Sequence, residues 1–296
     1  MTLNAASTSY SWTCDVDNCI LKFTTRNSGD TPTIKIEYGI CKYINNLDTL
    51  ILEKAENLES RVSNIEDEMF IEPSFSMFQK FGVIGDSFAS GTIFLEGGTS
   101  YTKYELSWGQ ILARMTGSTC INFSVGGLST RTWLTDSHGL TKLLSEDPQQ
   151  LYILALGIND TSLGAEYIGT ISDIHDSDPS LNADTFYGNY GKIIANVKTK
   201  APNARIIIMT VAKTLSHLPS NTTQFNVAIQ AIAEHYSIPC IVQGDDPFFK
   251  SNYYVNNIVG YHPTAPVYSA MANAFKRLVE NDMKNNISYY QEYIGQ

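Results

Sequence analysis

Phe81-Gly82-Val83-Ile84-Gly85-Asp86-Ser87-Phe88 (residues 81–88) is a short apolar run that stops at a glycine turn carrying an acid and a hydroxyl. Residues 81–84 read as a buried strand, since the run is too short for a helix and shows no polar face to water. Similar runs recur at 120–123, 151–156, 205–210 and 239–242, and helical patterns occupy 104–115, 185–198, 221–235 and 265–280. Short apolar strands separated by helices predict a parallel sheet covered on both faces, a three-layer α/β/α domain over residues 73–296.

In such a sheet, functional groups gather where the strands end and the loops diverge. Four segments put small or reactive residues at those ends: Gly85-Asp86-Ser87, Ser124-Val125-Gly126-Gly127, Gly157-Ile158-Asn159-Asp160 and Tyr261-His262-Pro263. An ester-cleaving serine needs a base and hydrogen-bond donors for the oxyanion of its tetrahedral intermediate. Ser87 offers the hydroxyl, His262 the base, Gly127 an unobstructed backbone N–H and Asn159 a side-chain amide. Each also fits a plainer role: Ser87 a helix cap, Gly126-Gly127 a tight turn, Asn159-Asp160 a helix cap, His262 a surface histidine before proline.

Taken together, the four segments resemble the four sequence blocks of the SGNH hydrolases, the GDSL-type esterases and lipases. The resemblance runs from residue 81 to about 280 and implies a flavodoxin-like three-layer fold. It implies Ser87 as nucleophile and, with Gly127 and Asn159, as an oxyanion donor. Gly126 is the alternative to Gly127, and His262 is the implied base. The family's last block usually reads DxxH, but Val259 stands where the acid belongs. Two replacements are open: a dyad in which a main-chain or Asn carbonyl orients the ring, or an acid recruited from Asp245 or Asp246, which follow the 239–242 strand. Asp86 and Asp160, beside the reactive residues, read as local turn and cap residues.

The first 43 residues are rich in Thr, Ser, Asn and Tyr and alternate at 34–38, as small antiparallel strands do. In the next segment, 44–72, Ile44, Ile51, Ala55, Leu58, Val62, Ile65 and Met69 recur in heptad spacing and predict a coiled-coil neck. A homo-oligomer follows, with a trimer favoured. Small module, neck and terminal enzyme resemble the layout of phage tail fibres and other surface appendages, which points to a virion tail or an extracellular appendage.

A formal charge of −10 and 20 scattered basic residues argue against a nucleic-acid partner. The five cysteines form no CxxC pair, so neither zinc nor any other cofactor is expected, and Cys120 and Cys240 read as buried thiols. No apolar run is long enough to span a membrane, and the N-terminus lacks a recognisable secretory signal. The expected function is a serine esterase working through an acyl-enzyme. With 17 tyrosines, Trp133 near the glycine loop and no long apolar lid, O-deacetylation of a polysaccharide is the favoured reaction. The alternative is a non-catalytic glycan-binding or receptor-binding module on the same fold.

Overall fold

The computed structural model describes residues 10–15, 20–25, 34–37, 54–55, 57–60 and 73–294, apart from 96 and 213–217. The chain divides into two compact units, residues 1–71 and 72–296. In the first, β1 (Tyr10–Asp15), β2 (Ile20–Thr25) and β3 (Ile34–Glu37) form an antiparallel sheet with Trp12 opposite Phe23 and Leu21 opposite Ile36. Residues 54–55 and 57–60 are helical. The rest of the heptad stretch lies outside the described residues.

The second unit is built on five parallel strands: β4 (Lys80–Gly85), β7 (Thr119–Ser124), β8 (Leu151–Ala155), β9 (Arg205–Met209) and β10 (Cys240–Ile241). Two small hairpin strands, β5 (Thr92–Phe94) and β6 (Ser100–Thr102), lie between β4 and β7 in the chain. The spatial order β7-β4-β8-β9-β10 is the 2-1-3-4-5 order of flavodoxin-like folds. Its direction reverses beside β4, so the crevice where ligands bind opens at the carboxyl ends of β4 and β8.

Alternation along β4 explains the three layers. Phe81 and Val83 point into a core shared with Trp108, Leu112, Val267 and Phe275, while Ile84 joins Phe123, Tyr152, Tyr190 and Phe225 on the other face. Helices Trp108–Thr116 and Ala265–Asn285 cover the first face, and Phe186–Lys200 and Thr222–Tyr236 cover the second. Every one of these strand side chains is fully buried, worth about 1.5–3 kcal/mol each relative to exposure.

The helix expected at 104–115 starts later, at Trp108. Ser107 is extended, and its hydroxyl caps Gln110 N, so Tyr104–Leu106 close a separate 3-10 turn. No helix among the described residues is long and apolar enough to cross a membrane.

Candidate active site

The β4 strand delivers Ser87 into the crevice at the first position of a short helix, Ser87–Ser90. Asp86 caps that helix, its carboxylate accepting from Phe88 N at 2.9 Å. Two side chains distant in the sequence hold the turn. Asn122 Nδ2 donates to Ala89 O at 2.7 Å, and Tyr268 Oη reaches Thr92 O at 2.8 Å and Ser87 O at 3.3 Å.

Beyond β7, the chain turns at Gly126-Gly127 beside the serine. A methyl group on Gly126 would stand 3.7 Å from Ser87 Cβ. Gly127 has φ +83°, a conformation that glycine adopts without strain, and no atom lies within 4 Å of where its Cβ would be. Access to this turn is therefore open.

Segment 157–160 is tied to that turn twice. Asn159 Nδ2 donates one hydrogen to Leu128 O at 3.0 Å, which leaves the second amide hydrogen for another acceptor. Asp160 accepts from Thr130 N at 3.0 Å and Thr130 Oγ1 at 2.6 Å. Its role is therefore a bridge between two strand ends rather than the local cap the sequence suggests. Burial pushes its carboxyl up to about 6, with the Thr130 bonds opposing the rise. Burial likewise pushes Asp86 up to about 7, and the charge of Asp160 adds to that shift.

His262 arrives on a hairpin that the sequence pattern did not reveal. Strands β11 (Ile258–Val259) and β12 (His262–Pro263) are joined by Gly260 and Tyr261, with φ of +53° and +66°. Positive φ at both central residues is the mark of a type I′ turn. The register sets Val259 opposite His262. The turn also swings the Gly260 carbonyl onto the ring, 2.8 Å from Nδ1. A carbonyl can only accept, so Nδ1 carries the proton and the lone pair of the neutral ring is on Nε2. Nε2 is buried with no hydrogen-bond partner. Burial lowers the pKa of His262 below its ordinary value, and the Gly260 bond opposes that shift. Phe94 stacks on the ring at 4.7 Å between centroids, and Phe88, the residue after Ser87, lies at 5.3 Å on the ring as well.

Neither candidate acid serves this ring. Asp246 is buried and engaged by Arg277 Nε and an Arg277 terminal nitrogen at 2.9 and 3.0 Å, while also capping Phe248 N. Asp245 is exposed and lines a separate surface pocket with Thr210, Asn226 and Lys250. Of the two replacements for the missing acid, the main-chain carbonyl is the one the geometry supplies. Trp133 is corrected too. It is fully buried, with Nε1 donating to Phe123 O at 2.7 Å, so it presents no face to a sugar. Cys120 and Cys240 are free thiols, each raised by burial, Cys240 to about 12.

At the β4/β8 switch point lies a small, partly open cavity of about 30 Å³, lined in part by Asp86, Phe88, Leu156, Ile158 and Thr210. Its walls include both neighbours of Ser87. Among the described residues no cluster of three metal-ligating side chains occurs.

A sequence profile of the GDSL-like lipase/acylhydrolase family matches residues 83–270. No curated protein matches the chain. Among solved structures, a protein assigned as a GDSL-like lipase from Bacteroides ovatus aligns with TM-score 0.51 and 16% identity over 69% of this chain and 98% of that one. Another so assigned, from Bacteroides uniformis, gives 0.49 and 20% over 67% and 93%. A lipase-like protein from Chitinophaga pinensis gives 0.49 and 16% over 69% and 99%.

Proposed function

This chain belongs to the GDSL-like lipase/acylhydrolase family, and from that premise we propose that it is a carboxylic-ester hydrolase working through a Ser87–His262 dyad. Nε2 of His262 takes the proton of Ser87 Oγ as the oxygen attacks the ester carbonyl. The oxyanion is held by the N–H groups of Ser87 and Gly127 and by the free amide hydrogen of Asn159. The proton then passes to the departing alkoxide, and water, deprotonated by the same nitrogen, releases the acid.

One observation carries the reading. The Gly260 carbonyl dictates a tautomer with its lone pair on a buried, unpartnered Nε2, and burial keeps the ring neutral near pH 7. An imidazole in that state has the protonation a general base needs, and since Nε2 has no partner in this structure, Ser87 Oγ must come within hydrogen-bond reach of it for the proton to pass.

For the substrate we propose a short acyl ester on a polysaccharide, an O-acetyl group. Tyr261, 65% exposed beside His262, replaces Trp133 as the aromatic surface a sugar ring would meet. The heptad seam at 44–69 further supports a homo-oligomer, a trimer in our reading, since Leu58 on that seam is 59% exposed in the single chain. A tail-fibre or appendage setting would give several such sites avidity.

Hydrolysis of p-nitrophenyl acetate by the parent and by Ser87→Ala tests the reaction. A rate that vanishes with Ser87 supports it, and equal background rates favour the glycan-binding module. Acetate release from an O-acetylated polysaccharide, compared with cleavage of p-nitrophenyl palmitate, tests the substrate class.

A further inference from the structure

An acid beside a catalytic histidine does two things: it fixes the plane of the ring and it stabilises the ring when charged. Here Val259 occupies the acid's place and offers neither. The Gly260 carbonyl secures one edge of the imidazole. A single hydrogen bond, however, leaves the ring able to rock about the Nδ1–O axis.

Two aromatic rings limit that motion. Phe94 is stacked on the imidazole with 25° between planes, and Phe88 is tilted on it at 32°. Both come from the segment that also carries Ser87, Phe88 directly after it and Phe94 on β5, and that segment packs against β12. Turn and ring are matched to each other, since a Cβ on Gly260 would stand 2.5 Å from Phe94 Cγ and Cδ1. Any other residue at 260 would push Phe94 off the imidazole. The ring faces are negative in their quadrupole and attract a cation, so they also favour the imidazolium as it forms. No charged neighbour contributes to the shift of His262. The elements packed against β12 carry among their titratable groups Asp86, at the cap of the Ser87 helix, and Tyr268 of helix Ala265–Asn285.

We infer that Phe88 and Phe94 are positioning residues that bracket His262 and stand in for the carboxylate absent at Val259. The inference rests on the reading of His262 as the base.

The test compares Phe94→Tyr, Phe94→Leu and Phe94→Ala, which are expected to fold because Phe94 is only half-buried. With p-nitrophenyl acetate, Phe94→Tyr keeps kcat within a few-fold, while Phe94→Leu and Phe94→Ala lose about 10- to 100-fold in kcat at unchanged KM. Adding Val259→Asp to Phe94→Leu restores part of the loss. In parallel, the NMR signal of the His262 ring Nδ1–H, sharp in the parent and in Phe94→Tyr, broadens in Phe94→Leu. A leucine variant with parental kcat and a sharp ring signal overturns the bracket. Absence of Ser87-dependent hydrolysis in the parent overturns the esterase reading instead, and the ring signal still decides the bracket.

Discussion

The imidazole of His262 donates from Nδ1 to the carbonyl oxygen of Gly260, two residues earlier in the same hairpin turn, at 2.8 Å. A neutral dipole occupies the position that a carboxylate holds in a triad. It orients the ring without adding a charge.

The candidate acids are then dispensable for catalysis. Asp245→Asn is expected to leave kcat and stability unchanged within about twofold, as an exposed substitution does. Asp246→Asn leaves kcat within a few-fold and lowers stability by about 1–3 kcal/mol, because the bidentate Arg277 contact and the Phe248 cap lose their charged acceptor. Steady-state kinetics and urea unfolding separate the two effects.

Placing a carboxylate at Val259, opposite His262, has a predictable sign. A nearby negative charge favours the protonated imidazole, so the acid limb of the kcat/KM profile of Val259→Asp moves upward by about one pH unit. The parent, whose His262 is depressed by burial, keeps its base form below pH 6.5 and stays active there. A pH–rate profile of both proteins measures the shift.

As the oxyanion donors we propose, Asn159 and Gly127 would act chiefly on the transition state, although Asn159 also holds Leu128 O. Asn159→Ala is expected to lower kcat by about 10²–10³ with little change in KM, the usual cost of losing one oxyanion donor. Gly127→Ala carries a backbone penalty as well, because φ is +83° there. Its Tm falls along with its rate.

Asp86 gives the fold a pH dependence of its own. Its carboxyl is raised from 3.8 to about 7, so the contribution of the protonated form is complete below the unfolded value and is lost as pH rises through about 7. Asp86→Asn keeps an oxygen to cap Phe88 and removes the ionisation. The variant is expected to match the parent near pH 4 and to exceed it in Tm at pH 8. Parallel Tm curves would contradict this.

Much of the second unit is legible in the sequence because buried parallel strands are apolar on both faces. Phe81–Ile84 and 151–156 therefore stand out against the helices between them. The parts that were hidden depend on contacts distant along the chain. Asp246 is claimed by Arg277, 31 residues later, and Asp160 by Thr130, 30 residues earlier. The hairpin that aims His262 has strands only two residues long, too short to leave an alternating pattern. Its one local clue is Gly260, and the Tyr261 that follows at φ +66° is a residue no turn rule would select. Trp133 misleads for a related reason: nearness to the glycine loop says nothing of which way an indole points, and here it points into the core.

The most direct test of the Ser87–His262 dyad is peptide mapping after incubation with the organophosphate paraoxon, which transfers a diethylphosphoryl group to an activated serine. The dyad predicts a single adduct on Ser87, absent in Ser87→Ala and formed far more slowly in His262→Ala. An unmodified Ser87 in protein that still hydrolyses p-nitrophenyl acetate, or an adduct at another serine, would contradict it.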